Sequence, residues 1–121
     1  AFLKGCRDRG GEGQVVAAAA DLAAALRGSG RPTAILAYND LYARDAIQVC
    51  QALGLDVPGA VSVMGIDDVA DARRLHPALT TIRIPAADLG RRAIALLDGD
   101  ADGIDRVSGD LIVCASTAAR T

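Results

Sequence analysis

The sequence predicts an α/β fold built on a mainly parallel sheet with helices on both faces. Two observations carry this. The runs Thr33-Ala34-Ile35-Leu36-Ala37 and Val61-Ser62-Val63-Met64-Gly65-Ile66 are short, apolar and rich in β-branched residues, as fully buried strands are. Between them Ala43, Ala46, Ile47, Cys50 and Leu53 recur with a helical period. Strand, helix and strand together take about 30 residues, the size of a βαβ unit. Its right-handed crossover makes the two strands parallel and brings their C-terminal tips, Tyr38-Asn39-Asp40 and Asp67-Asp68, to one rim. In open α/β sheets that rim is where ligands bind.

The remaining elements follow in order. Phe2, Leu3 and Cys6 share one face of a helix that Gly10-Gly11-Glu12-Gly13 terminates. Gln14 to Ala18 is expected as a weak strand, and a helix from Asp21 ends at Gly28-Ser29-Gly30. Asn39 is a good N-cap for the central helix, Asp40 suits its first turn, and Gly54 suits its C-terminal exit. Asp56-Val57-Pro58-Gly59 reads as a turn of type II. A short amphipathic segment from Val69 to Leu75 ends at His76-Pro77. Leu79 to Ile84 alternates as a third strand, and Pro85 opens a helix with Leu89, Ala93, Leu96 and Leu97 on its apolar face. Residues 98–110 are a loop with a short strand at Ile104–Val107, Leu111–Cys114 is a closing strand, and the polar tail 116–121 is expected to fray.

Composition narrows the function. With 121 residues, of which 51% are hydrophobic, the chain is most simply one compact unit. A net charge of −2 gives no global electrostatic footprint for nucleic acid, and no apolar run is long enough to span a membrane. The 3 cysteines are far apart and without CxxC spacing, so they read as apolar fillers in a reducing cytosol, not as a disulfide framework or zinc site. The chain opens Ala-Phe-Leu-Lys-Gly, with neither methionine nor a signal-peptide pattern, as a fragment would.

Asp40, Asp67 and Asp68 raise the possibility of a Mg²⁺-dependent phosphoryl-transfer enzyme. Such a site wants a lysine at a later strand tip, whereas the one lysine, Lys4, precedes every strand. His76 is the one histidine and sits before a proline, there is no GxSxG motif, and the early glycines form neither GxGxxG nor a Walker pattern. No catalytic residue, metal site or cofactor is therefore expected. The alternative is a polar ligand held by hydrogen bonds: Asn39 supplies both donors and acceptors, and an ionised Asp supplies paired acceptors for adjacent hydroxyls or ring N–H groups. Capping by Asn39 is compatible with that role.

Several motifs together resemble the LacI/GalR family of bacterial transcriptional regulators. They are Pro32-Thr33-Ala34-Ile35, Asn39-Asp40, Val57-Pro58, Val61-Ser62-Val63, Gly65-Ile66-Asp67-Asp68, Pro77-Ala78-Leu79-Thr80-Thr81-Ile82-Arg83, Leu89-Gly90-Arg91-Arg92-Ala93 and Ser116-Thr117. The resemblance implies a lobe of a periplasmic-binding-protein-like domain, Rossmann/flavodoxin-like in architecture, that senses a small effector such as a sugar or nucleobase and is no enzyme. It implies that Asp67 and Asn39 contact the effector and that Asp40 and Asp68 hold turns; with no Trp and one Phe, Tyr38 is the third expected ligand-binding residue, an aromatic able to stack on a sugar ring. It places a homodimer interface around Tyr42, Ala46, Arg73 and Arg74, and operator binding in an N-terminal helix-turn-helix outside these residues. The whole chain, 1–121, is then expected as part of the effector-binding domain, with 84–99 resembling a helix of its other lobe. Deprived of that lobe, helix 86–98 would pack back on this chain's own sheet or swap into a second copy. A sugar-binding protein of a transporter, with the same fold, is the alternative reading.

Overall fold

The computed structural model describes residues 2–100 and 106–119. The elements run α1 (Phe2–Asp8), α2 (Ala19–Arg27), β1 (Ala34–Leu36), α3 (Asp40–Ala52), β2 (Ser62–Asp67), a single 3-10 turn (Ala72–Arg74), β3 (Thr80–Arg83), α4 (Ala86–Leu97) and β4 (Asp110–Ile112). The 4 strands form one sheet in the order β1-β2-β3-β4. β1 lies parallel to β2 with Ile35 opposite Val63, and β2 lies parallel to β3 with Gly65 opposite Thr81. β4 closes the sheet antiparallel to β3, with Ile82 opposite Leu111.

The core sits between this sheet and α3. Ala43, Ala46, Ile47 and Cys50 on α3 are buried against Val61, Val63 and Leu79, and Leu26 on α2 completes the cluster. The helical stripe read from the sequence is thus the buried stripe. Burial also pushes the Cys50 thiol pKa up, as expected for a cysteine acting as an apolar filler. Helices cover the face that carries Ile35 and Val63. On the opposite face Leu36 is 44% exposed, so among the described residues the expected second helical layer is unfilled.

Four local expectations need correction. Gln14–Ala18 is not a strand: the segment is irregular and runs into α2, which begins at Ala19, two residues ahead of Asp21. Alanines at 17–20 extend a helix more readily than they pair in a sheet. The Asp56–Gly59 turn is closed by the Asp56 carboxylate, which accepts from the Gly59 N–H at 3.2 Å. Gly59 is not among the glycines with positive φ, as a type II turn would require. The tail is not frayed at its start, because Ser116 is fully buried. Its Oγ donates to the Val63 carbonyl at 2.6 Å and accepts from the Thr80 N–H at 2.8 Å, while its carbonyl accepts from the Val63 N–H at 2.8 Å. The tail therefore pairs with β2 just below the point where β3 takes over. Finally, α4 does not pack back on the sheet: it has no buried residue, and Leu89, Leu96 and Leu97 are 41%, 44% and 87% exposed. The strand expected at 104–107 falls partly outside the described residues, and Arg106 and Val107 are not in a strand.

Candidate functional site

The parallel pairing of β1 and β2 brings their C-terminal ends side by side, and the two polar motifs meet there. Asn39 is the N-cap of α3, its Oδ1 accepting from the Tyr42 N–H at 3.0 Å. Such a cap contributes about 1 kcal/mol. Among the described residues only the oxygen of the Asn39 side-chain amide is engaged, and the amide nitrogen keeps its donors.

Asp40, one residue on, is 2% exposed and bound at both carboxylate oxygens. Oδ1 accepts from the Thr81 hydroxyl at 2.6 Å and Oδ2 from the Val69 N–H at 2.9 Å. The Thr81 Oγ1 accepts in turn from the Asp68 N–H at 3.3 Å. Gly65 makes this arrangement possible. A Cβ there would collide with Asp40 Oδ1 and lie 3.1 Å from both Asp40 Cα and Leu79 Cδ2. The Asn39-Asp40, Gly65-to-Asp68 and Thr80-Thr81 motifs are therefore one interlocked unit, although they lie far apart in the chain.

That unit holds a turn of unusual backbone. Asp67 and Asp68 are the described non-glycine residues with positive φ, at 120° and 55°. Such conformations cost on the order of 1–3 kcal/mol each and persist where surrounding contacts over-determine them. The two carboxylates then diverge in role. Asp68 is engaged: its side chain is 8% exposed and accepts from Arg83 Nε at 2.8 Å and from an Arg73 Nη at 3.5 Å. The hydrogen bond from Arg83 holds its carboxyl below the ordinary carboxylate pKa. The Asp67 carboxylate is exposed and has no hydrogen-bond or ion-pair partner among the described residues.

Asn39 and Asp67 line the same cavity, of about 230 Å³, with Leu41, Arg44, Val69 and Leu75. Complete small-molecule sites run to about 300–1,000 Å³, so this cavity is smaller than a complete site. The sequence reading missed Arg44, which follows Asp40 by four residues and so stands one helical turn further along α3. It also missed Thr81 and Gly65 as supports of the turn. Tyr38 is 83% exposed and is not among the cavity's lining residues. It stands edge-on to Tyr42, with ring centroids 6.4 Å apart and planes at 78°.

The expected interface residues divide. Tyr42 is 58% exposed, and the Arg73 and Arg74 side chains are 58% and 82% exposed, paired with Asp68 and Asp71. Ala46 is a correction: at 4% exposure it faces this chain's own core and cannot present its side chain to a partner. A three-carboxylate metal site is not assembled either. Among the described residues no three His, Cys, Asp or Glu side chains gather, because Asp40 and Asp68 are committed to Thr81, Val69 and the two arginines. His76 is exposed, and its carbonyl accepts from Gln51 Nε2 at 2.9 Å.

A profile of the periplasmic binding protein-like domain matches residues 3–120. The chain belongs to this family. It is 48% identical over 67 residues to the HTH-type transcriptional repressor PurR of Yersinia enterocolitica, a match covering 55% of this chain and 20% of that protein. The chain thus spans about a fifth of the length of this curated relative. Among solved structures it is similar to a putative LacI-family transcriptional regulator from Sanguibacter keddieii, with a TM-score of 0.78 and 28% identity over 98% of this chain and 50% of that one. A LacI-family regulator from an Arthrobacter species, in complex with lactose, superposes with a TM-score of 0.67 and 28% identity over 83% of this chain and 40% of that one. The resemblance read from the motifs is borne out, as is the mixed α/β, mainly parallel fold. No helix among the described residues is long and apolar enough to cross a membrane.

Proposed function

We propose that this chain forms one wall of the effector site in a cytoplasmic LacI-type transcriptional regulator, and that Asp67 and Asn39 hold the effector. The observation that carries the proposal is the unpartnered Asp67 carboxylate. It sits on a backbone that is costly for an aspartate, beside the free amide donors of Asn39 and on a shared cavity. A carboxylate beside an amide suits a small polar molecule with adjacent hydroxyls or ring N–H groups, such as a sugar or a nucleobase. The lactose complex of the Arthrobacter relative supports the sugar class. In this reading Tyr38, exposed near the same rim though not part of the cavity lining, covers an effector's open side.

In this reading the operator is bound by a helix-turn-helix outside these residues, and effector binding and operator binding are coupled through the domain. That the matched proteins are transcriptional regulators supports this over a transporter's sugar-binding protein and over an enzyme. Two copies associate through the face that carries Tyr42, Arg73 and Arg74. The exposed stripe of α4 is covered by the other lobe of the domain or by a second copy, since an uncovered face of this kind is unfavourable by roughly 25 cal/mol per Å².

Thermal-shift screening of sugars and nucleobases against the full-length natural protein tests the proposal. At least one compound raises the melting temperature of the wild type and does so far less in Asp67→Asn. Equal shifts in both would remove Asp67 from the site.

A further inference from the structure

The turn that carries Asp67 is held by residues that do not themselves present a free group to a ligand. Left to local preference, two consecutive aspartates would leave the left-handed region, which side chains other than glycine disfavour. Two hydrogen bonds oppose that. The Asp68 N–H is held by Thr81 Oγ1 and the Val69 N–H by Asp40 Oδ2. The acceptors are themselves joined, Thr81 donating to Asp40 at 2.6 Å, and both are buried, at 0% and 2% exposure. Consecutive amides of one turn are thus fixed by a single buried pair drawn from the first turn of α3 and the middle of β3. Neither bond is to Asp67 itself, whose carboxylate remains free.

We infer that Asp40 and Thr81 are positioning residues for Asp67: by anchoring the next two amides they keep its backbone left-handed and so set where its carboxylate meets a ligand. The ligand part of this statement rests on the function proposed above; the conformational part does not. Because Asp40 comes from α3 and Thr81 from β3, the placement of Asp67 depends on how these two elements are packed. A displacement of α3 against β3 would be felt at the carboxylate.

The test reads the backbone directly, by NMR on the isotope-labelled chain without ligand. The three-bond HN–Hα coupling is small at a φ near 120°, the value at Asp67, and large in extended backbone. In the wild type Asp67 shows the small coupling, and the Asp68 and Val69 amides exchange slowly. Rapid exchange of both would overturn the inference at once. Thr81→Val removes the hydroxyl. It is expected to speed exchange at Asp68 and Val69 by about tenfold relative to the sheet amides, and to raise the Asp67 coupling. Thr81→Ser, which keeps the hydroxyl, restores both readings. Should Thr81→Val not fold, Asp40→Ala decides by the same readings, since it removes the acceptors of both the Thr81 hydroxyl and the Val69 N–H. A folded variant whose Asp67 coupling is unchanged refutes the positioning role, whatever its melting temperature. Effector binding that survives Asp67→Asn would instead refute the ligand reading and leave the conformational result standing.

Discussion

Replacing Gly65 by alanine is the sharpest stability test, because a single methyl meets the centre of the interlocked unit. Gly65 does not have a positive φ, so its backbone accepts alanine and only the space matters. The new Cβ would collide with Asp40 Oδ1 and stand 3.1 Å from Asp40 Cα and from Leu79 Cδ2, against about 3.5–4.0 Å for comfortable carbon contacts. Two relaxations are open. If β2 and α3 move apart, the overpacking costs about 1–3 kcal/mol. If the Asp40 carboxylate swings away instead, its bonds to Thr81 and Val69 are lost, at about 1.5–3 kcal/mol each for bonds to a charged group. The cheaper route wins, and the reduced entropy of the unfolded chain returns about 0.4–1 kcal/mol. A net loss of roughly 1–1.5 kcal/mol is expected, equivalent to a fall in Tm of about 5 °C for a domain of this size. Urea unfolding followed by circular dichroism measures it, with Gly90→Ala on α4 as the control. A Cβ at Gly90 meets nothing within 4 Å, so that variant should gain about 0.5–1 kcal/mol from helix propensity. If Gly65→Ala is as stable as wild type, the interlocked arrangement of Asp40 over β2 is wrong.

Three further outcomes follow from the same contacts. Ser116→Ala leaves the buried Thr80 N–H and Val63 carbonyl each short of a partner, and should lower stability by about 2–3 kcal/mol in urea unfolding; no change would mean that the tail is not seated. Asp68 has a folded pKa below its unfolded value of about 3.9. Its stabilising contribution is therefore complete above that value and lost as the pH falls through it toward the folded pKa. Arg83→Gln should accordingly flatten the acid limb of the stability–pH curve below about pH 4; a curve that is unaltered contradicts the pairing. The thiol of Cys50, buried and with a raised pKa, should react with a thiol reagent only as fast as the chain opens. Labelling of the folded chain at the rate of an exposed cysteine would place Cys50 outside the core.

Much of this architecture was legible because it follows from periodicity and chain geometry. The helical stripe at Ala43, Ala46, Ile47 and Cys50 and the two apolar runs specify a parallel βαβ unit, and the unit alone brings Asn39 and Asp67 to one rim. The N-cap was legible for the same reason, since Asn before an amphipathic run has few other local uses. What could not be read were contacts between segments distant in the chain. Asp40 looked like a first-turn charge responding to the helix dipole, yet its partners are Thr81 and Val69. Ser116 sits in a polar tail that local composition marks as loose, and only the gap between Val63 and Thr80 makes it a core residue. Ala46 was read as both stripe and interface, and burial resolves it to the stripe. The left-handed pair at Asp67 and Asp68 carried no sequence signal, because glycine or asparagine usually announces such backbone and aspartate does so weakly.

The central claim is that Asp67 and Asn39 form one wall of an effector clamp. It is tested most directly by isothermal titration calorimetry of the full-length natural protein with the compound that stabilises it most. Losing charge-assisted hydrogen bonds at Asp67 amounts to about 1.5–3 kcal/mol. Asp67→Asn should therefore weaken binding by about 10–100-fold at unchanged fold. Asn39→Asp, which keeps the cap but removes the amide donors, should weaken it less. An Asp67→Asn protein that is folded and binds the compound as tightly as wild type would contradict the account.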